Sequence, residues 1–254
     1  MKKSLLIVSG LVLLTFSACK KGENDPSLSL STRKARLAGE YTIDAWLNLY
    51  TYVYSNGDVE EVNVDIDGTT GSRENTYTPG GGGTSTTTTY DITIQKATFT
   101  FDKEGTWSMI VNKTTKWITN GGGFLVDYEA YTQIETLTES GAWVFLPGQG
   151  DDFKNKERVM LSVLNSVSSS QLNQVTHFID ASTFASNGSV EGRNYTYANG
   201  EESVVYEIDR LAGKEMIFVQ DNEGKDIYTS TDGGVTYTTT ITQLGSSEIR
   251  LSEN

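Results

Sequence analysis

Few residues in this chain have the type and spacing that chemistry requires. The 254 residues include one histidine and one cysteine. A Ser-His-Asp hydrolase would have to use His177, which lies between Thr176 and Phe178 in an apolar stretch, and no Gly-x-Ser-x-Gly elbow occurs anywhere. His177 therefore reads as structural. One His and one Cys cannot fill the usual ligand shell of zinc. Acidic oxygens are plentiful, and Asp65-x-Asp67-Gly68 and Asp221-Asn222-Glu223-Gly224-Lys225-Asp226 could each face a calcium ion. Neither carries the closing glutamate of a calcium loop, and Asp and Asn bond their own backbone in turns. Both segments read as hairpin turns. The chain is thus expected to be neither an enzyme nor a metal or cofactor protein. What remains is aromatic. Trp46, Tyr50, Tyr52 and Tyr54 occupy even positions of one extended segment. Inside a barrel such a ladder could stack on a sugar or hold a lipid, with polar ligand groups satisfying the hydroxyls. On an outer face it could form an interface patch. Ordinary cross-strand packing would use the same residues.

Cys19 is placed by its neighbours. Lys2 and Lys3 precede an apolar run from Leu5 to Phe16, and small residues, Ser17 and Ala18, stand just before the thiol. The run is shorter than the roughly 20 residues that span a bilayer but fits a secretory signal. With no second cysteine, an intrachain disulfide is impossible. The stretch resembles the signal and lipobox of bacterial lipoproteins, in which the cysteine is lipidated and becomes the mature N-terminus. The resemblance implies a signal peptide over residues 1–18 and membrane attachment through lipidated Cys19. It also implies more than one acyl chain, which stable anchoring requires. Lys20, rather than an aspartate, follows the cysteine, which by the same resemblance favours the outer membrane. Glu23, Asn24 and Asp25 are similar to acidic export tracts of surface-displayed lipoproteins. The expected location is the cell envelope, facing either the periplasm or the surface.

Charge narrows the partners further. The chain has 20 Lys and Arg against 33 Asp and Glu, a formal charge of −13. Loss of Lys2 and Lys3 with the leader takes this to −15. Such a surface repels nucleic acid. The 236 residues left after the leader suffice for one large domain or two small ones. Abundant Tyr and Thr, with only three Pro, favour sheet.

The elements follow from local pattern. Residues 19–36 read as a flexible tether broken by Gly22, Asn24, Asp25 and Pro26, ending in a short helix near 31–38. Beyond Gly39, alternation takes over. Tyr41, Ile43, Ala45, Leu47, Leu49, Thr51 and Val53 form a nearly continuous apolar odd face, and Asn56-Gly57 signals a hairpin. Tyr90, Ile92 and Ile94 share a face that Ala97, Phe99 and Phe101 continue out of phase, which predicts a bulge near Lys96. Further turns are expected at 102–105, Asn120-Gly121, Ser140-Gly141, Asn187-Gly188, Asn199-Gly200, Glu223-Gly224 and Asp232-Gly233. Residues 68–89 form a Gly/Thr/Ser tract whose composition predicts a disordered loop. Within 157–179, Val159, Leu161 and Val163 alternate like a strand, whereas Met160, Val163, Leu164 and Val167 fit a helix equally well. Strand neighbours decide for a strand over 157–164.

Many strands joined by tight turns must close or stack, because open edges aggregate. An antiparallel up-and-down barrel removes its edges, and a β-sandwich is the alternative. Thr98-Phe99-Thr100-Phe101 with Gly105-Thr106-Trp107, Gly141-Ala142-Trp143-Val144-Phe145, and Leu211-Ala212-Gly213-Lys214-Glu215-Met216 resemble the lipocalin-like domains of bacterial lipoproteins. Leu37-Ala38-Gly39-Glu40-Tyr41 looks like the start of such a barrel, with Tyr41 where a tryptophan is usual. The resemblance implies an all-β, lipocalin-like domain over 37–254. Two functions then stay open. One is a tethered binding module for a small apolar or glycan ligand. The other is a structural or interaction lipoprotein whose barrel is filled. Side-chain volume inside the barrel separates them.

Overall fold

The computed structural model describes residues 33–120, 126–146, 157–178, 181–197, 202–212, 214–232 and 235–254. The leader, Cys19, most of the tether, Gly121, Asn199-Gly200 and Gly233 lie outside them. A one-turn helix, α1 (Arg33–Leu37), precedes β1 (Gly39–Tyr54), β2 (Val59–Asp67), β3 (Thr70–Thr78), β4 (Thr86–Phe101), β5 (Thr106–Asn120) and β6 (Val126–Leu146). Then follow β7 (Glu157–Phe178), β8 (Ala181–Thr196), β9 (Glu202–Ala212), β10 (Glu215–Asp232) and β11 (Val235–Glu253). Nearly every described residue is strand, and every pairing is antiparallel.

The ladder closes on itself. Neighbouring strands pair in order from β1 to β7, then β7 pairs with β9, β9 with β10, β10 with β11, and β11 with β1. This gives a closed barrel of ten strands, with β8 lying along the upper part of β7. The ring is not uniform. At its base Gly39–Thr42 of β1 pairs directly with Thr98–Phe101 of β4, so the β2–β3 hairpin is excluded and eight strands remain. Higher up, Ala45–Val53 pairs with β2 instead. The second edge of β7 is also shared, by β9 up to Val163 and by β8 from Asn165 onward. Among the described residues, β8 pairs only with β7, and β10 beyond Val219 pairs only with β11.

An eight-stranded ring is narrow enough for side chains to fill, and the base is filled. Phe101, 2 % exposed, is its hub: the rings of Phe99, Phe218, Tyr41 and Trp143 stand 5.6, 6.0, 6.2 and 6.3 Å away. Trp143 turns its indole N–H to the Asp102 carbonyl at 3.2 Å, and Trp107 donates to the Ser162 carbonyl at 3.1 Å, so neither polar edge is stranded. α1 closes the bottom. Leu37 is fully buried, Arg36 Nη1 donates to the Leu211 carbonyl at 2.9 Å, and Tyr41 Oη donates to the Arg36 carbonyl at 3.0 Å.

Extra residues interrupt the ladder at Asp44 in β1 against β11, Gln95 in β4 against β5, Leu164 in β7 against β6, and Asp209 in β9 against β10, with further register shifts where the far ends of β6, β7 and β8 meet. A bulge reverses which parity points inward. The slip expected near Lys96 is present at Gln95. The continuous odd face expected for 41–53 is not. Tyr41 and Ile43 are buried, but beyond Asp44 the odd residues turn outward, and Leu47, Leu49 and Val53 are exposed.

Other expectations are corrected too. Residues 68–89 are not a disordered loop: they form β3 and the start of β4, with the connection over 79–85. Threonine suits a pleated surface, and the hairpin is tied across by Thr76–Thr87 and Thr78–Ser85 hydroxyl pairs, each 2.9 Å, and by the Gly80 amide on Asp58 at 2.8 Å. Ser140-Gly141, Asn187-Gly188 and Glu223-Gly224 lie inside strands rather than at turns. Gly141 serves close packing: a Cβ there would stand 1.8 Å from the Ser162 oxygen, beside the Leu164 bulge.

Two substitutions separate the inner and outer faces. Phe101→Ala should cost about 3–5 kcal/mol, as large-to-small core changes do. Leu49→Ala, at a residue 55 % exposed, should shift stability by no more than about 0.5 kcal/mol. Denaturant unfolding of both variants checks the assignment.

Candidate functional site

Above the filled base the inserted β2–β3 hairpin widens the ring, and the interior opens into a cavity of about 800 Å³. Its floor is aliphatic: Ile66, Ile92, Ile94 and Val111 are buried there, with Val62 and Val64 above them on β2. One wall is aromatic. A second wall, from β6 and β7, offers a hydroxyl and an amide: Gln133 Nε2 donates to Ser170 Oγ at 2.8 Å.

The aromatic wall holds three of the four residues singled out in the sequence. Trp46, Tyr50 and Tyr52 line the cavity, because the Asp44 bulge brings the even positions of β1 inward. Trp46 Nε1 donates to Asn48 Oδ1 at 3.0 Å, and the Tyr50 and Tyr52 rings stand 6.3 Å apart. Tyr50 lies over Gly245 of β11, where a Cβ would come within 2.7 Å of its ring. Only glycine leaves room for that pose. Tyr54 is not part of the lining. Its hydroxyl donates to Glu60 Oε2 at 3.0 Å, and burial together with Glu60 raises its pKa. Burial, then Glu60, likewise raise that of Tyr52, against a smaller opposing pull from Arg73.

Charged groups enter the lining as Arg73, Lys113, Arg193, Glu60, Glu135 and Glu191. Lys113 meets Glu135 at 3.2 Å and Arg193 meets Glu191 at 3.7 Å. Arg73 reaches Glu60 through Asn75: its Nε donates to Asn75 Oδ1 at 2.7 Å, and Asn75 Nδ2 donates to Glu60 Oε1 at 3.3 Å. The Arg73 guanidinium also lies 5.3 Å from the Tyr90 ring, a cation–π contact. Tyr90 starts a ladder across β4, β5 and β6, with Trp117 at 5.3 Å from it and Tyr131 stacked on Trp117 at 4.9 Å. None of these was expected as a site residue. Tyr90 had a local signal, its parity with Ile92 and Ile94. Trp117 and Tyr131 meet only through strand register, and Arg73 sat in the tract read as disordered.

The remaining candidates for chemistry are placed as follows. His177 stacks on Tyr128 at 4.0 Å. Asp65 and Asp67 are exposed at the end of β2, and 221–226 lie within β10 instead of a turn. Among the described residues, no group of three or more His, Cys, Asp or Glu is placed to hold a metal ion. No described helix is long and apolar enough to cross a membrane.

Glu139 and Tyr206 are electrostatically coupled, and Tyr206 in turn to Tyr50 on the aromatic wall. Burial pushes the Glu139 carboxyl above the usual range, opposed by a 3.0 Å hydrogen bond from Ser166 and reinforced by Glu202. Burial likewise pushes Tyr206 up to about 12, with Tyr50 and Glu139 adding to the shift. A carboxyl whose pKa rises on folding costs stability as pH climbs from its unfolded value through its folded one, and costs nothing below both. Glu139→Gln should therefore raise the thermal midpoint at pH 7, with the gain gone below about pH 4. Melting curves across that range test it.

Comparison with protein-family models, with curated proteins and with solved structures finds no match to this chain.

Proposed function

We propose that this protein is a membrane-anchored lipoprotein of the cell envelope whose barrel is a binding cup for one small apolar or glycan-bearing ligand. The observation that carries this reading is the cavity itself. Its volume, about 800 Å³, falls within the roughly 300–1,000 Å³ of small-molecule sites. Its lining combines an apolar floor with a few convergent polar groups, the usual composition of such sites. The aromatic wall supplies rigid surface for stacking, and its tyrosine hydroxyls can meet polar ligand groups. Anchoring rests on the lipobox-like segment that ends at Cys19.

Two measurements test the two halves. An environment-sensitive apolar fluorophore should brighten with the parent protein and saturate at one equivalent. Ile94→Trp, which places an indole on the cavity floor, should abolish the signal while the far-ultraviolet spectrum stays that of the parent. No brightening in the parent would reject the cup. In cells, Cys19→Ala should leave the protein unprocessed or released from membranes, and unchanged mass and fractionation would reject the anchor.

One observation favours a second reading as an interaction lipoprotein. Leu47, Leu49 and Val53 of β1 and Leu244 of β11 are exposed on the outside of adjacent strands. A parent protein that binds no probe would leave this strip as the better candidate for function.

A further inference from the structure

We infer that the cavity selects an amphiphile whose polar head carries no net charge. This rests on the binding-cup reading and adds the head-group chemistry to it. The observation is charge balance inside an acidic molecule. The chain as a whole has 33 acidic against 20 basic residues, yet among the described residues the lining holds three cations and three carboxylates. Within it Lys113 pairs with Glu135 and Arg73 is joined to Glu60 through Asn75, while Arg193 and Glu191 meet at 3.7 Å with both side chains largely in water.

A site built for an ionic head leaves one countercharge unmatched, because a charge taken from water is costly unless paired. Here a sulfate or carboxylate head would have to break an existing pair or leave a cation shared. The molecule's overall negative field adds to its disadvantage. A cationic head is drawn by that field to the exterior, but among the described residues of the lining it meets no unmatched buried carboxylate. Neutral donors and acceptors are instead available on the β6–β7 wall, where Gln133 donates to Ser170 in a hydrogen bond that a hydroxyl-rich or zwitterionic head can exchange for its own. The aliphatic floor at Ile66, Ile94 and Val111 takes the hydrocarbon chain.

The test uses four single-chain probes of equal alkyl length, each below its micelle concentration: a maltoside, a phosphocholine, a sulfate and a trimethylammonium. Displacement of the fluorophore from the full-length mature protein gives their affinities. The tighter neutral-headed probe should bind at least about tenfold better than either ion, a difference well resolved by such titrations. A charged probe that binds as well or better overturns the inference while leaving the cup intact. If neither the fluorophore nor any probe binds, the cup itself falls. Glu135→Gln then tests the pairing, because it frees Lys113 with almost no change of shape. The ratio of sulfate to maltoside affinity should rise about tenfold over that of the parent. Unchanged selectivity in a variant that melts like the parent rejects head-group recognition by charge balance.

Discussion

Ring width is the constraint on which the rest of the molecule depends. Barrel diameter grows with strand number, so ten strands enclose more space than the eight that side chains can just fill. This chain narrows its own base. Because Gly39–Thr42 reaches past the β2–β3 hairpin to pair with Thr98–Phe101, the lower ring has eight strands, and Phe101 arrives at its centre with rings on four sides. Where the hairpin enters the ladder, the same barrel widens and the cavity begins. Core and cup are thus two results of one insertion. Stability is concentrated at the base, which leaves the upper lining free to carry polar and charged groups that a packed core would not tolerate.

The bulges make that division possible. A strand that crossed from core to cavity in strict alternation would present one set of side chains throughout. Asp44, Gln95 and Leu164 each reset the parity instead, so that β1 shows Tyr41 and Ile43 to the core but Trp46, Tyr50 and Tyr52 to the cavity.

These resets also explain which parts of the fold are legible in the sequence. The slip in β4 could be read because apolar residues lie on both sides of it in opposite phase. The slip in β1 could not, because Leu47, Leu49 and Val53 happen to be apolar on the outer face and continue the pattern of Tyr41 and Ile43. In β7, the extra residue Leu164 breaks a period of two, and Met160, Val163, Leu164 and Val167 then imitate a helix. The tract over 68–89 misled for another reason. Its few apolar groups give no amphipathic signal, and its order comes from backbone ladders to β2 and β4. Of the site, the aromatic face of β1 was visible locally. The pairing of Lys113 with Glu135 and the stacking of Trp117 on Tyr131 depend on register between distant segments, which composition and spacing do not encode.

The uneven edges of β7, β8 and β10 give the barrel two mechanical regimes. The eight-strand base is a hoop: every strand is bonded on both sides, and it cannot expand without breaking a ladder. The rim is a cut ring, since among the described residues β8 pairs only with β7 and the upper half of β10 only with β11. Spreading the rim therefore breaks no backbone hydrogen bond between them. Its compliance is set by side-chain contacts and by the twist of two long hairpin arms, while the hoop below holds their roots fixed. A barrel of this kind joins a rigid bottom to a mouth whose width is set by side-chain packing rather than by the backbone ladder.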